Sequence, residues 1–309
     1  LEKRLADFKH SESALVFNTG YMTNLGVLYG LLQTGDVVFS DELNHASIID
    51  GCRISRCKVV VYKHNDMADL QRLLETEIVT GQRFIVTDGV FSMDGDIADL
   101  PSLAVLKKQF NAFLIVDDAH GVGVIGNDGS GTASHYGLTD VIDLQVGTLS
   151  KALAAEGGYV AGKKILIDYL INRSRPFIFS TALAPATLAA ANAALLLLQT
   201  QASKYLDSLR ANSRLMRRLL LEGGLNVVEG ITPIIPVVIG EAGLTMQFAD
   251  RLKSKGILVS GIPPPTVPRG ESRLRITVTA AHCEEQLRQA AQIITALWQE
   301  LKHGEKKEG

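Results

Sequence analysis

The sequence predicts an α/β protein with a mostly parallel central sheet, helices on both of its faces, and a smaller α/β domain at the C-terminal end. Short apolar runs rich in Val, Ile and Phe alternate with helical patterns over residues 1–202, which is the order of strand–helix–strand units. The runs show no regular polar alternation, as expected of strands buried on both faces. From about Ser203 the texture changes to a long basic helix followed by a shorter set of elements. The expected division is therefore 1–202 for the large domain and 203–309 for the small one.

In chain order, strands are expected at Val37–Ser40, Lys58–Tyr62, Phe84–Thr87, Phe113–Val116, Leu144–Val146 and Tyr159–Ala161. Asp66–Val79 reads as a helix because Leu70, Leu73, Leu74 and Ile78 share one face, and Leu100–Phe110 reads as another. Ala182–Leu198 is the longest apolar stretch, but Pro185, Thr187 and Asn192 interrupt it. It falls short of a membrane span and reads as a buried helix. Tyr205–Leu221 is a basic amphipathic helix stopped by Gly223-Gly224. Strands at Ile234–Ile239 and Leu274–Val278, helices at Leu244–Lys255 and Glu284–Leu301, and the Pro-rich turn Pro263–Pro268 complete the small domain. The charged tail His303–Gly309 is expected to fray.

The 309 residues carry a net charge of −2, with 46% hydrophobic and 21% charged residues. No broad basic field exists to attract nucleic acid. Cys52, Cys57 and Cys283 lack the spacing of a disulfide framework or a zinc site, which suits the reducing cytoplasm. They read as packing or surface thiols. The opening Leu1-Glu2-Lys3-Arg4 is amphipathic and charged rather than signal-like. Because Leu1 is not Met, an upstream segment is expected.

The chemistry concentrates where apolar strands end. Phe113-Leu114-Ile115-Val116 runs into Asp117-Asp118-Ala119-His120, and open α/β sheets bind ligands beyond the carboxyl ends of their strands. About thirty residues later, Lys151 lies in the small-residue run Gly147-Thr148-Leu149-Ser150-Lys151-Ala152. A carboxylate that keeps a pyridine nitrogen protonated, with a lysine able to form a Schiff base, is what pyridoxal 5′-phosphate (PLP) requires. His120 could hydrogen-bond the phenolic oxygen, and Thr148 or Ser150 the phosphate. Read singly, the acids could cap a turn and the lysine could be solvated. Gly121-Val122-Gly123-Val124-Ile125-Gly126 matches a dinucleotide fingerprint, but Asn127-Asp128-Gly129-Ser130-Gly131 continues as a loop, where pyrophosphate binding needs a helix start.

Three further strings carry candidate site residues. His45, in Ser40-Asp41-Glu42-Leu43-Asn44-His45-Ala46-Ser47, opens a helix and could stack on a pyridine ring; a surface histidine is the alternative. Asn18-Thr19-Gly20-Tyr21-Met22-Thr23-Asn24 begins a helix whose amides suit a phosphate. Thr87-Asp88-Gly89-Val90-Phe91-Ser92-Met93-Asp94-Gly95 places acid and hydroxyl groups after another strand.

Together, and in this order, these strings resemble the α-oxoamine synthases, PLP enzymes of the fold-type-I aminotransferase superfamily. Phe179-Ser180-Thr181-Ala182-Leu183-Ala184-Pro185 and Arg273-Leu274-Arg275-Ile276-Thr277 extend the resemblance along essentially the whole chain. It implies that Lys151 forms the Schiff base, His45 stacks on the ring, Asp117 pairs with the ring nitrogen and His120 with the phenolic oxygen. Thr19, Gly20, Tyr21, Asp88, Ser92 and Thr148 would line the cofactor. It further implies a homodimer in which Ser180 and Thr181 reach the partner's phosphate, and a substrate pocket with Thr266 and Arg275, the arginine holding the amino acid's carboxylate.

The implied reaction is a decarboxylative condensation of a small amino acid with an acyl thioester carried by CoA or acyl carrier protein. Val124-Ile125-Gly126 and Ala155-Glu156-Gly157-Gly158 are similar to the family's biotin-pathway members, which join L-alanine to a pimeloyl thioester. Asn44–Gly51 and Arg173-Ser174-Arg175-Pro176 are closer to members that join glycine to acetyl-CoA. An aminotransferase or lyase is a more distant alternative. Asp88 stands where many relatives carry Glu, and Pro263 where biotin-pathway members often carry Arg. The family's N-terminal arm is expected upstream of Leu1.

Overall fold

The computed structural model describes residues 1–308, with side chains as far as residue 302. The expected fraying of the tail 303–309 lies outside these described side chains. The chain divides into two compact units, Leu1–Phe91 with Ile97–Ser203, and Ser92–Asp96 with Lys204 onward. The short segment Ser92–Asp96 interrupts the first unit in sequence yet belongs to the second.

The first unit holds a seven-stranded sheet in the order β1-β7-β6-β5-β4-β2-β3. The strands are β1 (Ser13–Phe17), β2 (Val37–Asp41), β3 (Lys58–Tyr62), β4 (Arg83–Asp88), β5 (Ala112–Asp117), β6 (Leu144–Thr148) and β7 (Gly158–Gly162). Strands β2 to β6 pair in parallel, whereas β7 runs antiparallel to both β6 and β1. The sheet was expected and mostly parallel; β1 and the reversal of β7 were not foreseen. Gly158–Gly162 follows β6 after only a short turn, and a parallel return needs a crossover of a dozen residues or more.

Alternate strand residues enter opposite cores. Val37, Phe39, Ile85, Leu114 and Val116 pack into one hydrophobic cluster, while Val38, Phe84, Val86, Ile115 and Val146 pack into another. Two buried faces explain why these strands lack a polar alternation. Strand β3 differs, because it is the sheet edge: Val60 and Tyr62 are buried but Val61 is 58% exposed.

The helices of this unit are α1 (Glu2–Phe8), α2 (Gly20–Leu31), α3 (Ala46–Ile54), α4 (Met67–Thr76), α5 (Leu100–Gln109), α6 (Thr132–His135), α7 (Lys164–Arg173) and α8 (Arg175–Ile178). Their starts are chemically marked: Thr19, Asp66 and Asp99 accept hydrogen bonds from N–H groups in the first turns of α2, α4 and α5, satisfying donors that would otherwise be orphaned. Helix α9 (Pro185–Glu222) merges the two expected helices across a kink at Gln201 and ends just before Gly223-Gly224. Its first half is not the buried helix the sequence suggested. Ala191, Leu195 and Leu198 are buried, but Leu196 and Leu197 are each 46% exposed. The apolar residues Ala193–Leu198 wind around the helix, so one face of it is left open.

The second unit carries the antiparallel sheet β8-β10-β9, formed by β8 (Ile234–Gly240), β9 (Ser260–Ile262) and β10 (Ser272–Thr277). Helices α10 (Ala242–Ser254) and α11 (Glu284–Glu308) share its core with Met216 and Leu220 of α9. Phe248 stacks on Trp298 at 5.7 Å between centroids within that core.

One buried charge pair pins the loop that follows β5. Lys9, at the end of α1, donates from Nζ to Asp118 Oδ2 at 2.9 Å and to Ser130 O. Asp118 also accepts from Thr132 N and from Thr132 Oγ1 at 2.9 Å. Both charged side chains are at most 1% exposed. The fingerprint-like string begins at Gly121 for a local reason: a Cβ there would sit 2.0 Å from Asp118 Oδ1. Replacing Lys9 with Met should strand the Asp118 charge and cost about 3–5 kcal/mol, read as a fall in thermal and urea midpoints. A loss below about 1 kcal/mol would mean the pair does not hold the loop.

Candidate active site

Strands β1, β2, β4, β5 and β6 deliver their carboxyl ends to one edge of the first unit. The turn from β6 to β7 brings Lys151 to the same edge. Thr19 follows β1 and caps α2, His45 follows β2 and caps α3, and Asp88, Asp117 and Thr148 are the last residues of β4, β5 and β6.

Asp88 and Asp117 are register partners on adjacent parallel strands, and each is only 6% exposed. Two carboxylates so placed cannot both ionise cheaply. Burial first, and then the charge of Asp117, push the Asp88 carboxyl well above the usual carboxylate range; the His45 N–H and the Lys151 amine pull it back down. That influence of Lys151 puts its amine in the neighbourhood of the pair.

Each acid has its own scaffold. Asn44 Nδ2 donates to Val86 O at 2.8 Å and Asn44 Oδ1 accepts from Asp88 N at 2.8 Å. These two bonds sew the loop after β2 onto β4. His45 N then donates to Asp88 Oδ2 at 2.9 Å. Asp117 Oδ1 accepts from Ala119 N at 3.0 Å, and its Oδ2 accepts from Asn24 Nδ2 at 2.6 Å. Asp118, by contrast, is consumed by Lys9 and Thr132, so of the two neighbouring acids Asp117 is the one at the site. Sequence reading overlooked Asn24 and Asn44. The available signal for Asn24 was its position four residues after Gly20, one helical turn along the same face.

The first turn of α2 lies hard against the turn leaving β6. A Cβ on Gly158 would sit 2.7 Å from Gly20 N, and a Cβ on Gly20 would sit 3.2 Å from Thr148 Oγ1. Helix amides and a hydroxyl thus share one small space, which is how helix N-termini hold phosphate. Thr148 Oγ1 is also 2.8 Å from Ser150 Oγ. Tyr21 is the second residue of α2, and its hydroxyl donates to Asp50 Oδ2 at 2.8 Å. Thr181 O accepts from Asn18 Nδ2 at 2.8 Å, and Ser180 precedes it after α8. His120 lies half-buried in the turn after β5.

The remaining expected site residues belong to the second unit. Ser92 O accepts from Arg275 Nε, and Arg275 Nη1 donates to Thr277 Oγ1 at 3.2 Å. Burial pushes the Arg275 guanidinium below its usual value. Thr266 lies in the Pro-rich turn between β9 and β10. Among the described residues no cluster of three or more His, Cys, Asp or Glu side chains could hold a metal ion.

PLP presents a ring nitrogen, an aldehyde and a phosphate. The edge offers a buried acid (Asp117), an amine (Lys151) and a helix start with hydroxyls (Gly20, Thr19, Thr148), so the donor set fits all three parts. It also explains why two acids are tolerated side by side, since a cationic ring relieves their repulsion.

The raised pKa of Asp88 has a definite sign. The folded protein retains a proton that the unfolded chain releases, so stability falls as pH rises above the ordinary carboxylate value. Asp88→Asn keeps an acceptor for the His45 N–H and cannot ionise. The cofactor-free variant should therefore be more thermally stable than the parent at about pH 7, with the gain vanishing near pH 4. An equal difference at both values would sink this reading.

Residues 1–294 match the family profile of aminotransferase class I and II. The 8-amino-7-oxononanoate synthase of Lysinibacillus sphaericus is 50% identical over 287 residues, covering 93% of this chain and 74% of that one. The enzyme of the same name from Geobacter sulfurreducens is 51% identical over 302 residues, covering 97% and 77%. Among solved structures, serine palmitoyltransferase from S. paucimobilis with a bound PLP–myriocin aldimine superposes with a TM-score of 0.94 at 31% identity, covering 97% of this chain and 76% of that one. The 8-amino-7-oxononanoate synthase of Francisella tularensis gives 0.82 at 31% identity, covering 98% and 86%. The chain therefore belongs to the aminotransferase class I and II family, in its branch of PLP-dependent acyltransferases, the α-oxoamine synthases.

Proposed function

We propose that this chain condenses L-alanine with a pimeloyl thioester, on CoA or acyl carrier protein, to give 8-amino-7-oxononanoate for biotin synthesis, with release of carbon dioxide and the thiol. The observation that carries the reading is the buried pair Asp88 and Asp117 at adjacent strand ends with the Lys151 amine beside it. Relatives of that name at about half identity support the choice of substrates.

When bound, PLP supplies an aldehyde that takes up amines and a protonated ring that draws electrons from the substrate's Cα. Asp117 keeps the ring nitrogen protonated, and burial strengthens that interaction. His45 stacks on the ring face and His120 donates to or accepts from the phenolic oxygen. Thr19, Thr148 and the amides of Gly20 and Tyr21 bind the phosphate, with Ser92 nearby on the cofactor. Lys151 would hold the cofactor through its amine, and the same amine would take the substrate's Cα proton and return one. Arg275 holds the amino acid's carboxylate through paired N–H groups, and Thr266 contacts the acyl substrate. In the balance a bond forms between Cα and the acyl carbon, the carbon–sulfur bond breaks, and the carboxylate leaves as carbon dioxide.

The proposed assembly is a homodimer, supported by large apolar side chains that the first unit leaves exposed. Phe179 is 71% exposed, and Ile178, Leu196 and Leu197 are each 44–46% exposed. Ser180 and Thr181 directly follow Phe179, so a partner seated there would receive them at its phosphate. The proposed setting is the cytoplasm, where the free thiols Cys52, Cys57 and Cys283 remain reduced. No helix among the described residues is long and apolar enough to cross a membrane.

Initial rates of thiol release should favour alanine with pimeloyl-CoA over glycine with acetyl-CoA. The opposite preference would assign the glycine reaction instead, and no release with any acyl-CoA would reject the condensation. Lys151→Ala should lower the rate by at least roughly a hundredfold and abolish the borohydride-reducible lysine adduct. Phe179→Asp should turn the dimer into a monomer by sedimentation velocity and weaken cofactor retention. A dimer of unchanged strength would place the interface elsewhere.

A further inference from the structure

Asn24 lies on α2, 3% exposed, with both amide protons committed. Its Nδ2 donates to Asp117 Oδ2 at 2.6 Å and to Ser47 Oγ at 2.9 Å. A carboxylate oxygen only accepts, so the amide atom facing Asp117 is the nitrogen. Ser47 Oγ in turn lies 2.7 Å from His45 Nδ1, and Ser47 N donates to the same Nδ1 at 3.2 Å. An Nδ1 that receives a main-chain N–H carries no proton of its own. The Ser47 hydroxyl accepts from Asn24 and therefore gives its single proton to Nδ1. His45 is left with its proton on Nε2.

We propose that Asn24 and Ser47 are positioning residues for the cofactor, one carboxamide aligning the ring-nitrogen acid Asp117 and, through the Ser47 hydroxyl, holding His45 as its Nε2–H tautomer. The proposal rests on the PLP reading of this site. It has two consequences. First, neutral His45 offers a donor on its outer edge and no base, so proton abstraction falls to Lys151. Second, α2 governs three parts of the cofactor at once: its first amides meet the phosphate, and one turn later Asn24 sets the acid and the stacking ring. Such a bridge matters because orientation errors of an ångström or less are expensive in catalysis.

Two measurements on the holoenzyme test this. In protein labelled with 15N-histidine, the His45 signals, identified by their loss in His45→Gln, should show a protonated Nε2 and a bare Nδ1 at mildly alkaline pH. A protonated Nδ1 overturns the assignment. The second measurement is a double-mutant cycle on the PLP dissociation constant, using Asn24→Leu, Asp117→Asn and their combination. Asn24→Leu should weaken PLP binding roughly ten- to a hundredfold. Made on top of Asp117→Asn, it should add less than about threefold, because its effect runs through the acid. Penalties that simply multiply would show that Asn24 acts by packing alone and would defeat the proposal. A parent protein that binds no PLP would instead defeat the cofactor reading, and the histidine spectrum would still stand by itself.

Discussion

The arrangement depends on placing two carboxylates, Asp88 and Asp117, side by side in a buried position at the ends of neighbouring strands. Uncompensated, such a pair is costly, because burial removes the water that would stabilise each charge and proximity sets the charges against each other. The surroundings answer both costs. Asp88 takes the His45 N–H and its affinity for a proton is raised, while Asp117 takes the Ala119 N–H and the Asn24 carboxamide. The Lys151 amine and a protonated cofactor ring provide the opposite charge. Repulsion that would destabilise an ordinary core becomes a preference for a cationic ring.

Parallel topology is what makes the pair possible. In β4 and β5 the register sets Asp88 opposite Asp117, and the middle of each strand, Phe84–Val86 and Phe113–Val116, is apolar. The apolar side chains before the two acids are spent on the two cores, and the carboxylates stand where the strands stop. The loop after β2 is then tied down by Asn44, and α2 comes in against the turn after β6 at a distance only glycine allows. Asp88, Asp117, Thr148, Thr19 and His45 stand on strand ends and helix starts, while Lys151 and His120 stand in the turns directly after β6 and β5.

The second buried charge works differently. Asp118 is next to Asp117 in sequence, but successive residues of a chain leaving a strand point apart. Lys9 and Thr132 satisfy it fully, and its task is to hold the loop that follows β5. Two adjacent identical residues thus have unrelated surroundings, Asp117 beside Asp88 at the strand ends and Asp118 bound to Lys9 and Thr132.

Much was legible from the chain alone. The eight expected strands all exist, with ends within a residue or two, because Val, Ile and Phe runs between helical patterns have few alternatives. The cluster from Asp117 to His120, the Lys151 run and His45 were readable because they follow strands, where ligands bind, and Thr19 because its string begins a helix. Residue types and order determined the fold class, the cofactor chemistry and the family. What only the tertiary structure decided was which atoms meet: that β7 turns back, that β1 joins the sheet, that Ser92–Asp96 belong with the second unit, that Asn24 bridges Asp117 and Ser47, and that Asp118 faces Lys9. Each of these pairs residues far apart in the chain. Local patterns carry propensity and periodicity, but long-range partners are chosen by packing, burial and the need to satisfy every buried polar group.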